Sequence, residues 1–279
     1  MRLKIIVDST FNLDDDFIKD NDLHVVPLNV IIDHQNYLDG EISIDEILTS
    51  LEEGKKVSTS QPSPIIFQDT FMYYRDLGYT DILCLTLSST LSGTFQSASM
   101  AKEEVEGVNI VVFDTLSAAM GAEIFAKVAV SNKDKSIEEI VQKLETIRKN
   151  SGLLFNMQNL NALKNSGRIS KIKATIGNLL RVKPIIEYFD GKVNINSKCR
   201  TDSQVFNWII GKMKSILDFI TTKIHIIVGH IRAENRVYNF YTLLKEAFPN
   251  AEISLRDGIT PVIAINVGYG GFGVAWSYE

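Results

Sequence analysis

Residues 3–7 (LKIIV) form a short apolar run that stops at Asp8-Ser9-Thr10, the pattern of a buried strand in a parallel sheet. Residues 81–87 (DILCLTL) and 109–113 (NIVVF) repeat it, and helical patterns follow over 92–106 and 117–130. Strand, polar turn and helix in repetition predict βαβ units with right-handed crossovers, hence a Rossmann-like layered region. Residues 23–32 add an extended stretch. Residues 42–53 read as a helix opened by a capping box of Ser43 and Glu46, and 136–149 carry the same signature in Ser136 and Glu139.

After residue 150 the pattern changes. Residues 153–157 read as a strand, and 184–196 as a hairpin turning at Asp190-Gly191. A helix (202–220), a strand (224–229), a helix (232–247) and a glycine-rich strand region (259–277) follow. The fold class predicted is α/β: a Rossmann-like parallel-sheet N-terminal domain over 1–152, and an α+β domain with a mixed sheet over 153–279.

The length of 279 residues accommodates two such domains. A net charge of -5 lacks the basic excess that neutralises phosphates, so DNA and RNA are not expected partners. Two cysteines without a CxxC fit a reducing compartment. The N-terminal apolar run ends too early for a signal peptide, and no run reaches the roughly 18 residues of a membrane span. A cytoplasmic protein is the expectation.

Two hydroxyl clusters carry candidate chemistry. Ser88-Ser89-Thr90-Leu91-Ser92-Gly93-Thr94 lies at the carboxyl end of a predicted parallel strand and opens a helix, where open α/β sheets bind ligands. Free amides at the helix start, hydroxyls and the helix dipole together suit an anion; Ser92 as a plain helix cap is the alternative. Val57-Ser58-Thr59-Ser60-Gln61-Pro62-Ser63-Pro64 pairs hydroxyls with prolines before a helix starting near 64, and a capped turn accounts for it equally. Neither has a Walker A lysine or GxGxxG spacing. Of the histidines 24, 34, 225 and 230, only His230, at a strand's carboxyl end, is placed for a site role. The segment 164–173 is basic and contains Arg168, either a solvated helix start or a docking patch for an acidic or phosphorylated group.

Read together, several segments resemble the DegV family, which includes the fatty-acid-binding subunit of the bacterial fatty acid kinase. They are Asp8-Ser9-Thr10, Thr59-Ser60-Gln61-Pro62-Ser63, the run 88–98 around Leu91-Ser92-Gly93-Thr94, Asp114-Thr115 with Ser117 and Met120-Gly121, Gly167-Arg168-Ile169-Ser170-Lys171, Lys183-Pro184, and Pro261-Val262 before the glycine run. They occur in family order over nearly the whole chain. The resemblance implies a long-chain fatty acid in a tunnel between two domains. Thr59 and Ser92 would meet its carboxylate, with Ser60, Gly93, Thr94 and Asn266 completing the site. It further implies a separate ATP-using kinase subunit that phosphorylates the carboxylate, met through Arg168 and Arg200, and transient membrane-surface contact for lipid exchange. No cofactor or metal is implied. Where the family has a histidine before a Gly-Pro-Gly turn, this chain reads Asn266-Val267-Gly268-Tyr269-Gly270; an asparagine can donate a hydrogen bond but cannot become a cation.

The physical logic agrees. Roughly 15 methylenes at about 0.8 kcal/mol each supply on the order of 12 kcal/mol before ordering costs, so the tail provides affinity and the hydroxyls orient the head. Two other readings stay open: a serine-dependent hydrolase or transferase built on Ser92 and His230, and a lipid sensor without a kinase.

Overall fold

The computed structural model describes residues 2–167, 182–189 and 192–279. Arg168 and the turn Asp190-Gly191 lie outside them.

In chain order the elements begin with β1 (Leu3–Asp8), a short 3-10 turn (Ser9–Phe11), α1 (Asp15–Asp20), β2 (His24–Val26), β3 (Asn29–Ile32), β4 (Gln35–Leu38) and α2 (Ile44–Glu52). They continue with β5 (Val57–Ser60), α3 (Pro64–Asp76), β6 (Asp81–Thr86), α4 (Thr94–Glu103), β7 (Asn109–Asp114), α5 (Met120–Ser131) and α6 (Ile137–Lys149). Then come β8 (Ser151–Asn156), α7 (Asn161–Asn165), β9 (Lys183–Phe189), β10 (Lys192–Cys199), α8 (Asp202–Leu217), β11 (Ile224–His230), α9 (Glu234–Ala247), β12 (Glu252–Arg256), α10 (Pro261–Val267) and β13 (Phe272–Tyr278).

Three sheets result. A parallel sheet has the order β2-β1-β6-β7, and a six-stranded sheet the order β10-β9-β8-β13-β11-β12, in which only β11 and β12 run parallel. A third, antiparallel sheet, β4-β3-β5, stands beside them. Of the strands that the sequence declares most clearly, β1 and β6 are the inner strands of the parallel sheet, their continuous apolar runs matching burial on both faces, and β7 is its partly buried edge. Both capping boxes form: the Ser43 and Ser136 side chains accept from the amides of Glu46 and Glu139.

α5 joins the two larger sheets. It is apolar on nearly every side, as a helix buried from both directions must be, and Met120, Ala122, Phe125 and Ala126 belong to one core with Val7 and Leu85 on one side and Phe155, Ile227 and Ala275 on the other. Its single fully buried acid, Glu123, pairs with Lys127 at 2.6 Å and with Arg256 of β12.

Three expectations need correction. Residues 259–277 are not one strand region. Their first part is the helix α10, with Pro261 at its first position and Gly268 at φ 85° just past its end. The branched residues Val262, Ile263, Ile265 and Val267 argued for a strand, but they are buried on several sides of one short helix, and packing outweighed propensity. Residues 57–60 form the strand β5 rather than a turn, because Ser58 and Thr59 pair with Ile31 and Val30 of β3. The helix expected from Ser92 begins at Thr94, with Gly93 as its cap. The extended stretch 23–32 divides between two sheets, β2 in the parallel one and β3 in the antiparallel one.

Candidate functional site

One largely apolar cavity opens between the parallel-sheet half and the six-stranded-sheet half, with about 640 Å³ of empty space including its mouth. Thr59, Ser60, Ser92 and Asn266 are its polar wall. They come from β5, from the loop before α4, and from α10, which packs against both β5 and β3. Phe155, Met157, Leu163, Ile186 and Tyr188 are the apolar contribution of the second half. None of the described lining residues carries a charge.

The hydroxyl segments are locked together. Gly93 lets the Gln61 side chain lie across the loop, since a Cβ there would stand 2.4 Å from the Gln61 amide, and Gln61 Nε2 also donates to Ser97 Oγ at 3.4 Å. Ser92 Oγ accepts from the Thr94 amide at 3.3 Å and shares a hydrogen bond with Thr94 Oγ1 at 2.9 Å. Of the expected head-group residues, Thr59, Ser60, Ser92 and Asn266 therefore share the cavity. Gly93 and Thr94 stand beside it without lining it, and buried Thr94 braces Ser92.

Behind this wall lie two carboxylates, one buried and one half-buried, that the sequence does not connect. Asp8, at the end of β1, accepts from the Thr10 amide and hydroxyl and from the Leu87 amide at 2.7 Å. Asp39 accepts from Ser9 Oγ at 2.7 Å and from the Val262 amide, in the first turn of α10, at 3.2 Å. Ser9 Oγ in turn accepts from the Leu28 amide. The backbones of the cavity residues Leu28, Leu87 and Val262 are thus all tied to this pair. Burial pushes the pKa of Asp8 up to about 6, against its three hydrogen bonds. Asp39 is also raised to about 6, chiefly by burial and further by the charge of Asp8, while its hydrogen bonds to Ser9 and Val262 oppose the shift. The signal available in the sequence was Asp8-Ser9-Thr10; nothing in the spacing announced Asp39.

His230 is buried, accepts from the Ala233 amide at 3.4 Å and does not line the cavity. Burial lowers its pKa, so the imidazole is neutral at pH 7. The partners of Ser92 Oγ are on Thr94, and no observation favours a Ser92–His230 catalytic pair. Arg200 is exposed at the start of α8, its amide donating to Gln204 Oε1 at 2.9 Å, away from the cavity lining. The expected roles of Arg168 fall outside the described residues. Among the described residues no group of three or more His, Cys, Asp or Glu is placed to hold a metal, and no helix is long and apolar enough to cross a membrane.

The family model described as "Uncharacterised protein, DegV family" matches residues 2–279. The chain belongs to the DegV family. A DegV domain-containing protein of Listeria monocytogenes is 31% identical over 285 residues, covering 100% of this chain and 99% of that protein. Among solved structures, a fatty-acid-binding DegV family protein from Thermus thermophilus superposes with a TM-score of 0.93 at 28% identity, covering 100% of both chains. A DegV lipid-binding protein from Thermotoga maritima gives 0.85 at 29% identity, over 100% of this chain and 99% of that one. The two-domain α/β architecture, a parallel N-terminal sheet with a mixed C-terminal sheet, is that of DegV structures.

Proposed function

We propose that this DegV protein binds one long-chain fatty acid in the cavity between its two halves, taken as residues 1–152 and 153–279, and presents the carboxyl head to a separate ATP-dependent fatty acid kinase subunit. The observation that carries the reading is the cavity itself: a mostly apolar slot, uncharged among its described lining residues, with hydroxyl and amide groups gathered on one wall. An acyl chain gains free energy along the apolar lining, and Thr59, Ser60, Ser92 and Asn266 fix its polar end. Fatty-acid binding by the relatives with the same fold supports the assignment. Presentation to a kinase rests on the resemblance alone. In that scheme Arg168 and Arg200 meet the kinase, which supplies ATP and metal for phosphoryl transfer and returns an acyl phosphate to phospholipid synthesis.

Solvent extraction of the purified protein followed by mass spectrometry should release about one fatty acid per chain. A protein that is empty and takes up no added fatty acid overturns the binding reading. With a kinase subunit and ATP, Arg168→Ala should keep lipid uptake and lose acyl phosphate formation. Loss of lipid uptake in that variant contradicts the separation of roles.

A further inference from the structure

Asn266 holds a buried acceptor that no described residue satisfies. Its Nδ2 donates to the carbonyl of Val262, one turn back in α10, at 2.7 Å. That bond fixes the orientation of the amide, because the flipped form would set two oxygens against each other. The remaining oxygen, Oδ1, is buried and has no hydrogen-bond partner among the described residues. A buried amide oxygen without a donor costs about 1–3 kcal/mol, and this one belongs to a residue lining the cavity beside Thr59, Ser60 and Ser92. It suits a ligand that donates: the second Nδ2 hydrogen can still meet an oxygen of the ligand, but a carboxylate has no proton to give to Oδ1.

The surroundings point the same way. No described lining residue is cationic. α10 sits with its first turn on Asp39, whose carboxylate takes the Val262 amide and lies within the field of Asp8. Of the elements packed on α10, β3 and β5 carry no charge. α2 carries Asp45, Glu46 and Glu52: the first pairs with Arg232 at 2.6 Å, the second caps Ser43, and the third lines the neighbouring cavity. The lysine at position 164 of α7 lies outside the described side chains. An apolar site under negative charges, with no cation among its described lining residues, favours the neutral form of an acid.

We infer that the bound fatty acid is held as the un-ionised carboxylic acid, its hydroxyl donating to Asn266 Oδ1 while its carbonyl accepts from the serine and threonine hydroxyls. The inference rests on the fatty-acid reading above and adds the protonation state and a wider ligand class, including long-chain primary alcohols. An ionised fatty acid taken from neutral solution picks up one proton as it binds, and that proton must leave again before the oxygen can attack phosphorus. Affinity for the acid therefore falls about tenfold per pH unit above the acid's own pKa, while affinity for an alcohol stays flat.

The full chain loaded with palmitic acid labelled with 13C at the carboxyl carbon tests this. The bound resonance should sit at the shift of the un-ionised acid and hold it from about pH 5 to about pH 7. A bound resonance at the carboxylate shift at neutral pH overturns the inference while leaving fatty-acid binding intact; no bound resonance at all overturns the function itself. Hexadecan-1-ol should displace the acid from the unaltered protein at about pH 8 with an affinity within roughly threefold of the acid's or better, and failure to compete contradicts the proposal. Asn266→His, which removes the acceptor and restores a group able to carry charge, should move the resonance to the carboxylate position and weaken the alcohol by about tenfold.

Discussion

The two sides of the cavity are built on opposite principles. The sheet side draws Phe155, Met157, Ile186 and Tyr188 from two neighbouring strands and the residue just beyond β8, while Leu28, Leu91 and Val262 add apolar surface from the segments of the other side. The polar side gathers Thr59, Ser60, Ser92 and Asn266 from three separate segments, held in place by side-chain hydrogen bonds through Gln61, Thr94, Asp39 and Asp8. One side follows from sheet pairing; the other is an assembly of loops and helix ends that must be fastened. Affinity should therefore reside in the sheet side and discrimination of the head group in the fastened side.

The strongest way to break this division is to fill the slot. Ala118 is buried and lines the cavity just before α5, so Ala118→Phe should occupy space meant for ligand. Lipid affinity should drop by about 100-fold or more, and the variant should stay folded because overpacking typically costs about 1–3 kcal/mol. Full affinity in a folded variant, read by calorimetric titration, would place the lipid elsewhere. Next in size, Thr59→Ala and Ser92→Ala should each weaken binding by about tenfold, the value of a hydrogen bond of about 1–1.5 kcal/mol, without altering chain-length preference. A change of chain-length preference would show that the hydroxyls reach beyond the head group.

The carboxylates behind the polar side give a smaller, pH-dependent effect. The folded pKa of Asp8, about 6, lies above its ordinary value of 3.8, so the folded state binds the extra proton between those limits. Stability of the lipid-free protein should rise by about 1 kcal/mol per such group as pH falls from about 7 to about 5, and Asp39 adds a second contribution of the same sign. Urea unfolding across that range measures it. Asp8→Asn should flatten the slope, and an unchanged slope would remove Asp8 from the account. The smallest effect sharpens the apolar side: each methylene added to the fatty acid should strengthen binding by about 0.8 kcal/mol, roughly fourfold, until the chain reaches the end of the slot. A flat series would mean that the tail lies outside it.

Much of this was legible in the chain. β1 and β6 could be read because a strand buried on both faces leaves an unbroken apolar run, and α2 and α6 because their caps are written locally in Ser43-Glu46 and Ser136-Glu139. α10 was misread because its branched residues speak for a strand, and only burial on several sides made them a helix. β5 was hidden because serine and threonine beside proline look like a turn until a partner strand pairs with them. The hydroxyl motifs were visible as motifs, yet capping explained each as well as ligand binding did. What separates the two readings is the shared cavity, and that is a fact about distant segments.

The sequence by itself determined the α/β class, the family and the identity of the polar residues, because those reside in local pattern and in motifs that stand in order along the chain. Only the tertiary structure decided which apolar side chains form the slot, that Asp39 supports the first turn of α10, and that the Asn266 oxygen is left without a donor among the described residues. Each of these depends on how segments far apart in sequence pack or on which neighbour takes a particular hydrogen. For Asn266 the deciding contact is one hydrogen bond to the Val262 carbonyl, which exists only because 261–267 folded as a helix.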